Sequence, residues 1–437
     1  MITRILVSLL LLSLIFINSS QAAPKIQHWK TNNGLGVYYV PAPGLPMLDL
    51  ELVFAAGSVR DGEHLGVSAL TSGLLNKGAA GLTADQLAEA FEAVGAQYSA
   101  DASLERSTVS LRTVTLAEEM EQALAVWLKV LGQPSFPESD FKRAKKQSLI
   151  GLQAEKQSPA AIARKAFYKA LYASHPYGKP GSGTEDSINA MKIADLKAYY
   201  QQYYVAKNGI LAMVGDVDRA QAEIIAERVS KTLQAGEKAA PVPEVKPLTT
   251  SKTVKIEFPS SQSHIYIGQI GNKRGDEDYF SLYLGNHVFG GSGFTSRLMK
   301  EVRVKRGLSY SVYSYFMPQS QLGAYTLGLQ TKNKNLDEAI RVAKEALVKF
   351  VNEGPTEEEL KQSKQNITGG FPLRTASNSD IVSYISMIGF YGLPLDYLDA
   401  FAPTIEKISR KAVVDAFSRR VQPDKMVTII VGGVSEK

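Results

Sequence analysis

The chain carries five histidines, His28, His64, His175, His264 and His287, and no cysteine. Without a thiol there is no disulfide, no thiolate zinc site, no iron–sulfur cluster and no cysteine nucleophile. A catalytic zinc takes about three protein ligands, and two imidazoles reach one metal from a helix when they sit one turn apart. No two of these histidines are that close. His64 stands beside Glu63 in a loop ahead of a helical segment and reads as a solvated surface group. His175, in Ser-His-Pro-Tyr-Gly, reads as part of a turn. Ser72 as a nucleophile would need a histidine or lysine base beside it, and no such triad is apparent. Gly290-Gly-Ser-Gly293 precedes a helix, as a phosphate loop does, but lacks the Lys-Ser/Thr of a P-loop and reads as a tight turn.

The elements that must position such residues fall into two sets. At 437 residues, 44% apolar and 21% charged, the chain has the composition of a globular protein of two or three domains. Its net charge of +6 is spread along the sequence, which does not point to nucleic acid. Residues 1–22 read as a secretory signal: Arg4, an apolar run from Ile5 to Ile17, then Ser20 and Ala22 at the spacing signal peptidase prefers. The expected destination is the periplasm, with an uncleaved inner-membrane anchor as the alternative.

Three colinear matches suggest a duplication. Phe141-Lys-Arg-Ala-Lys-Lys-Gln-Ser-Leu-Ile-Gly151 resembles Leu360-Lys-Gln-Ser-Lys-Gln-Asn-Ile-Thr-Gly-Gly370. Ile210-Leu-Ala-Met-Val-Gly215 resembles Val427-Thr-Ile-Ile-Val-Gly432, and Gly95-Ala-Gln-Tyr98-Ser resembles Gly307-Leu-Ser-Tyr310-Ser. Between the halves, residues 237–249 are rich in proline and charge, which predicts an extended linker. Domains are therefore expected at 24–236 and 250–437. Strands are predicted at Leu48–Phe54, Ser103–Val114 and His264–Ile270. Helices are predicted over Ala117–Leu131 and Leu336–Val351, with starts at Thr83 and at Pro355-Thr-Glu-Glu. Runs of strands and helices without strict β-α-β alternation indicate an α+β fold.

Two segments carry a family resemblance. One runs from Gly57-Ser-Val-Arg-Asp-Gly-Glu63 through Gly66-Val-Ser-Ala-Leu-Thr-Ser-Gly-Leu-Leu-Asn-Lys-Gly78. The other is Gly290-Gly-Ser-Gly-Phe-Thr-Ser-Arg-Leu-Met-Lys-Glu-Val-Arg-Val-Lys-Arg-Gly-Leu-Ser-Tyr-Ser-Val-Tyr313. Both resemble the insulinase/pitrilysin (M16) zinc peptidases, which include the mitochondrial processing peptidases. The resemblance implies two homologous α/β-sandwich domains, each an antiparallel-rich sheet packed with helices. It also implies an inverted H-x-x-E-H zinc motif on a helix of the first domain and a third ligand, a glutamate, from a later helix. Here Ala69 and Gly73 occupy the two histidine positions, Ser72 that of the general base and Gly151 that of the later glutamate. The metal half is missing.

The resemblance also implies a carbonyl-binding pair in the second domain. Arg303 and Tyr310 have its seven-residue spacing; a guanidinium and a phenol can both donate to an oxygen that gains negative charge. Arg297 and Arg306 lie nearby but lack that spacing. The expectation is a chain without zinc, inactive alone, that pairs with a homologous H-x-x-E-H subunit. Zinc would sit in that partner, and the substrate would be an unfolded peptide. The alternatives are a stand-alone peptide-binding or scaffold protein and an autonomous metallopeptidase with unconventional ligands.

Overall fold

The computed structural model describes residues 25–433, so the segment read as a signal lies outside the described residues. Among those described, no helix is long and apolar enough to cross a membrane.

The first half is built on β1 (Gln27–Lys30), β2 (Gly36–Pro41), β3 (Met47–Phe54), a minimal hairpin of β4 (Gly78–Ala79) and β5 (Leu82–Thr83), β6 (Gln97–Ala102), β7 (Ser107–Val114) and β8 (Gly209–Gly215). The second is built on β9 (Lys252–Ile256), β10 (Gln262–Ile270), β11 (Ser311–Met317), β12 (Ala324–Lys332) and β13 (Val427–Val431). Apart from the hairpin, the first set forms a sheet in the order β1-β2-β8-β3-β7-β6; the second runs β11-β12-β10-β13-β9. Removing β1, the two orders are the same. Each sheet has one parallel pair, β2–β8 and β9–β13, and is otherwise antiparallel. The α+β architecture is therefore as expected, and the sequence matches mark equivalent places. β8 and β13 hold the same inner position, and Tyr98 and Tyr310 stand at the start of the equivalent edge strands β6 and β11.

Local chemistry sets the boundaries. Thr83 caps the Ala84–Glu92 helix in a box with Gln86, and Thr356 caps Glu357–Gly370 in a box with Glu359, each satisfying two backbone donors. In β7, Ser107, Val109, Leu111 and Thr113 turn inward at a period of two. The strand expected from Ser103 begins only at Ser107. The Ser103 N–H donates to the Arg106 carbonyl at 2.7 Å and the Arg106 N–H to Ser103 Oγ at 3.4 Å, closing a turn where extension was predicted.

The halves trade helices. Pro159–Tyr172 belongs to the first half by sequence but packs on β10 and β13 of the second. Its counterpart 219 residues on, Asn378–Tyr391, packs on β2, β3 and β8 of the first. One glycine on each side permits the approach. A Cβ on Gly268 would stand 2.7 Å from Phe167 Cζ, and one on Gly389 would stand 2.6 Å from the Tyr38 ring. Between the exchanged elements lies a buried carboxylate, Glu105. It accepts from the hydroxyls of Tyr177 and Tyr391 and from the Ser320 N–H at 3.0 Å. Residues 237–249 form no helix or strand and are fastened down: Val242 and Val245 are buried, and the Ala239 N–H donates to Asn208 Oδ1 at 2.9 Å.

Candidate functional site

The helix Val67–Leu74 carries the emptied motif. It starts at Gly66, whose φ of +93° is the left-handed conformation that favours glycine. Asp61 caps this start, accepting the Gly66 N–H at 2.7 Å and the Ser68 N–H at 3.1 Å. Burial pushes the Asp61 carboxyl up to about 6, although both N–H bonds favour its charged form.

The two faces of this helix differ. Ser68, Thr71 and Ser72 turn inward and are buried. Ala69 and Gly73, one turn apart, are exposed on the same side. The helix Glu138–Lys156 packs against it and brings Gly151, also exposed. A Cβ built on Gly73 or Gly151 meets nothing within 4 Å. The helices that carry the positions expected for two histidines and a glutamate thus pack together, and those positions hold a methyl and two hydrogens. This donor set does not fit a zinc ion. Among the described residues no cluster of three His, Asp or Glu could hold a metal. Ser72 is 1% exposed and buried beside Tyr204, out of reach of a substrate. His64 lies in the loop before the helix, with Nδ1 3.8 Å from Asp195, and the His175 side chain accepts the Tyr177 N–H in a turn.

Beside this helix runs β6, whose outer edge pairs with no other strand among the described residues. Unpaired N–H and C=O groups on such an edge can receive another strand. Where β6 ends, Ala102, Ser103 and Leu104 form part of the wall of a cleft of about 1200 Å³. Its opposite side is the helix Pro159–Tyr172 and the end of β11.

In the second half, a helix from Arg297 to Val304 ends in a π-helical turn, and Arg303 lies in that turn. Its guanidinium lies over two rings, 4.4 Å from the Tyr310 centroid and 4.7 Å from that of Phe294. Arg303 Nη1 donates to the Tyr310 carbonyl at 2.9 Å. Tyr310 is 81% exposed and Phe294 65%. The structure therefore brings Arg303 and Tyr310 together at the surface. Sequence reading did not single out Phe294; an aromatic residue directly after a glycine cluster was the available signal. The glycine cluster itself forms the end of a π-helical turn, His287–Gly291, where a tight turn was expected. The reason is packing: a Cβ on Gly290 would stand 2.7 Å from the Ser314 backbone nitrogen.

The neighbouring arginines have other partners. Arg297 is mostly buried, paired with Glu359 and stacked on Phe350; Arg306 pairs with Glu301 at 2.8 Å. Arg303 has no carboxylate within 4.0 Å among the described residues. The repeat sharpens the contrast. At the offset of 212 residues that relates Tyr98 to Tyr310, Arg303 corresponds to Phe91. Phe91 and Tyr98 also stack, at 5.4 Å, but as part of the core, with Phe91 and the Tyr98 hydroxyl buried. A ring contact recurs at this place in both halves; a half-buried cation in it is a feature of the second half.

Comparison with known proteins gives two family matches. Residues 42–185 match "Insulinase (Peptidase family M16)" and residues 190–367 match "Peptidase M16 inactive domain". A crystal structure described as the peptidase M16 inactive domain from Pseudomonas fluorescens is 38% identical. Its TM-score is 0.91, over 94% of this chain and 99% of that one. A Helicobacter pylori protein named "Non-peptidase homolog YmxG" is 27% identical across 94% of both chains. A Bacillus subtilis protein named "Uncharacterized zinc protease YmxG" is 26% identical across 82% of this chain and 86% of its own length.

Proposed function

The chain belongs to the insulinase, or M16, peptidase family, and from that premise we propose that it is the non-zinc subunit of a periplasmic heterodimeric zinc metallopeptidase. The observation that carries this reading is the asymmetry between its two halves. The metal half has open space at Ala69, Gly73 and Gly151. The carbonyl-binding half keeps a half-buried Arg303 against an exposed Tyr310, with no carboxylate within 4.0 Å of the guanidinium among the described residues. Such a chain is inert alone. The partner, a homologue with an intact H-x-x-E-H helix, would supply zinc, its ligands and the general base.

The work left to this chain is binding and orientation. An extended peptide pairs with the free edge of β6, which passes beside the emptied helix. The guanidinium of Arg303 and the phenol of Tyr310 donate to the carbonyl oxygen next to the scissile bond. Contacts with two rings and a hydrogen bond to the Tyr310 carbonyl hold the guanidinium in place, so little reorganisation is needed as charge develops on that oxygen.

The test is to recover the tagged mature chain from its native periplasm and identify what accompanies it. A stoichiometric homologue bearing H-x-x-E-H is expected, and a chain that emerges alone would sink the reading. In the assembled enzyme, Arg303→Ala should lower kcat by about 10²-fold while the complex still elutes as a heterodimer. Normal turnover in that variant would remove the role given to Arg303. The second reading, a stand-alone peptide-binding protein, is favoured by one feature: the free edge and the adjoining cleft lie wholly on this chain.

A further inference from the structure

The cleft at the end of β6 has a chemical character that carbonyl binding by Arg303 and Tyr310 does not use. Five lysine and arginine side chains line it against three carboxylates. Most of these charges are matched. Lys165 pairs with Glu155 and Lys156 with Glu185, and Lys179 reaches Glu63 outside the cleft at 3.6 Å. Two cations are left over. Arg164 and Lys169, both on the helix Pro159–Tyr172, have no carboxylate within 4.0 Å among the described residues. Of the three carboxylates, the exposed Asp186 has no cation within 4.0 Å among the described residues.

The helix that carries Arg164 and Lys169 is fixed. Ala163, Phe167 and Leu171 bury its inner face against the sheet of the other half. Its outer face presents both cations and Tyr168 to the cleft. The Tyr168 hydroxyl donates to Met317 Sδ at 3.2 Å, and a thioether is a weak acceptor that a carboxylate oxygen displaces easily. Burial raises the Tyr168 and Tyr315 phenols, and the Arg164 charge pulls both back down. Apolar wall is supplied by Leu104, Leu152 and Ile162. A site that is part apolar, part phenolic and carries two uncompensated cations suits an amphipathic chain with carboxylate groups.

We propose that this cleft is a specificity subsite that selects acidic side chains of an extended peptide, with Arg164 and Lys169 supplying the charge and Tyr168 a hydrogen-bond donor. The backbone of that peptide is held on β6, whose last residue, with Ser103 and Leu104 after it, opens into the cleft. The proposal shares with the functional reading the premise that the ligand is an extended peptide held on β6. It needs neither a partner nor zinc, so it is measured on the mature chain alone.

Three fluorescein-labelled peptides of about ten residues, alternating valine with glutamate, glutamine or lysine, are titrated against the mature chain by fluorescence anisotropy. The glutamate peptide should bind about tenfold tighter than the glutamine peptide, and salt of about 0.5 M should erase most of that difference. The exposed double variant Arg164→Glu/Lys169→Glu should reverse the preference toward the lysine peptide. Tyr168→Phe should weaken the glutamate peptide about threefold and the glutamine peptide, whose amide oxygen is the weaker acceptor, less. Equal binding of all three peptides, binding of none, or an acidic preference that survives the double variant would each overturn the proposal. A melting curve by circular dichroism confirms that the variants are folded. An acidic preference in a chain that has no zinc-bearing partner would leave this inference standing while the heterodimer reading fell. A partnered enzyme indifferent to peptide charge would do the reverse.

Discussion

Arg297 and Arg303 lie on the same short helix and have different fates. Arg297 is neutralised by Glu359 and laid over Phe350, so it serves packing. Arg303 is held only by two exposed rings and a backbone carbonyl. An exposed cation–π contact contributes about 0.5–1 kcal/mol. Phe294→Leu should therefore move the urea midpoint of the isolated chain very little, while turnover of the proposed assembly falls severalfold because the guanidinium loses one of its two ring contacts. A large loss of stability, or unchanged turnover, would contradict the positioning role. Asp61 shows a different economy. Its two N–H bonds start the helix of the emptied motif, but burial raises its carboxyl to about 6 from an ordinary 3.8. The folded state then holds the proton more tightly than the unfolded chain does. Asp61's contribution to stability is greatest below about pH 4, declines as pH rises to about 6 and is level above that, a cost of roughly 3 kcal/mol for keeping the charge. Urea midpoints of the wild type and Asp61→Asn, measured from pH 4 to 7, should differ by this sloping amount; parallel curves would show that Asp61 ionises as it would in water.

At the scale of elements, two helices pass through glycines that their own stability does not require. Gly73 lies in Val67–Leu74 and Gly151 in the middle of Glu138–Lys156, and a Cβ at either meets open space. A helical glycine costs about 0.5–1 kcal/mol relative to alanine. Gly73→Ala and Gly151→Ala should each stabilise the chain by about that amount, read as a higher urea midpoint; a loss would mean that the space is in use. The helices themselves were plain in the sequence. Ala117–Gly132 and Leu336–Glu353 carry long apolar periods, and the capping residues Thr83 and Thr356 announce their own helix starts. The four motif positions and the Arg303–Tyr310 spacing were also readable, because they are local patterns within a duplicated frame. Two kinds of fact were not readable. The turn at Ser103–Arg106 adjoins the strand with no glycine or proline to mark a break, and the Ser103 hydrogen bonds close it. The stack of Phe294 on Arg303 depends on how a π-helical turn folds back, which no residue spacing records.

At the scale of the whole molecule, the exchanged helices decide how the halves behave. The apolar face of Pro159–Tyr172 says that the helix is buried; it does not say on which sheet. In the structure each half buries part of its own sheet under a helix that the other half supplies. Neither half can lose its fold without uncovering the other, and Glu105 with Tyr177, Tyr391 and Ser320 adds a buried polar lock at the same boundary. The chain should therefore unfold as one unit. Both tryptophans, Trp29 and Trp127, lie in the first half, so their fluorescence reports that half alone, while far-ultraviolet circular dichroism reports both. The two signals should give one urea midpoint. Phe350 is fully buried in the second half's own core, against Phe289 and Phe417. Phe350→Ala should cost about 3–5 kcal/mol and should move the tryptophan transition as far as the dichroism transition, although neither tryptophan is in that half. If the tryptophan midpoint stays in place while the dichroism curve splits, the halves are independent domains and the exchanged helices do not couple them. Coupling matters for the proposed role because a peptide held on β6 of one half is to be presented to Arg303 and Tyr310 of the other. Two halves that cover each other's sheets hold those surfaces in one fixed relation, which is what orientation of a substrate for a partner's chemistry requires.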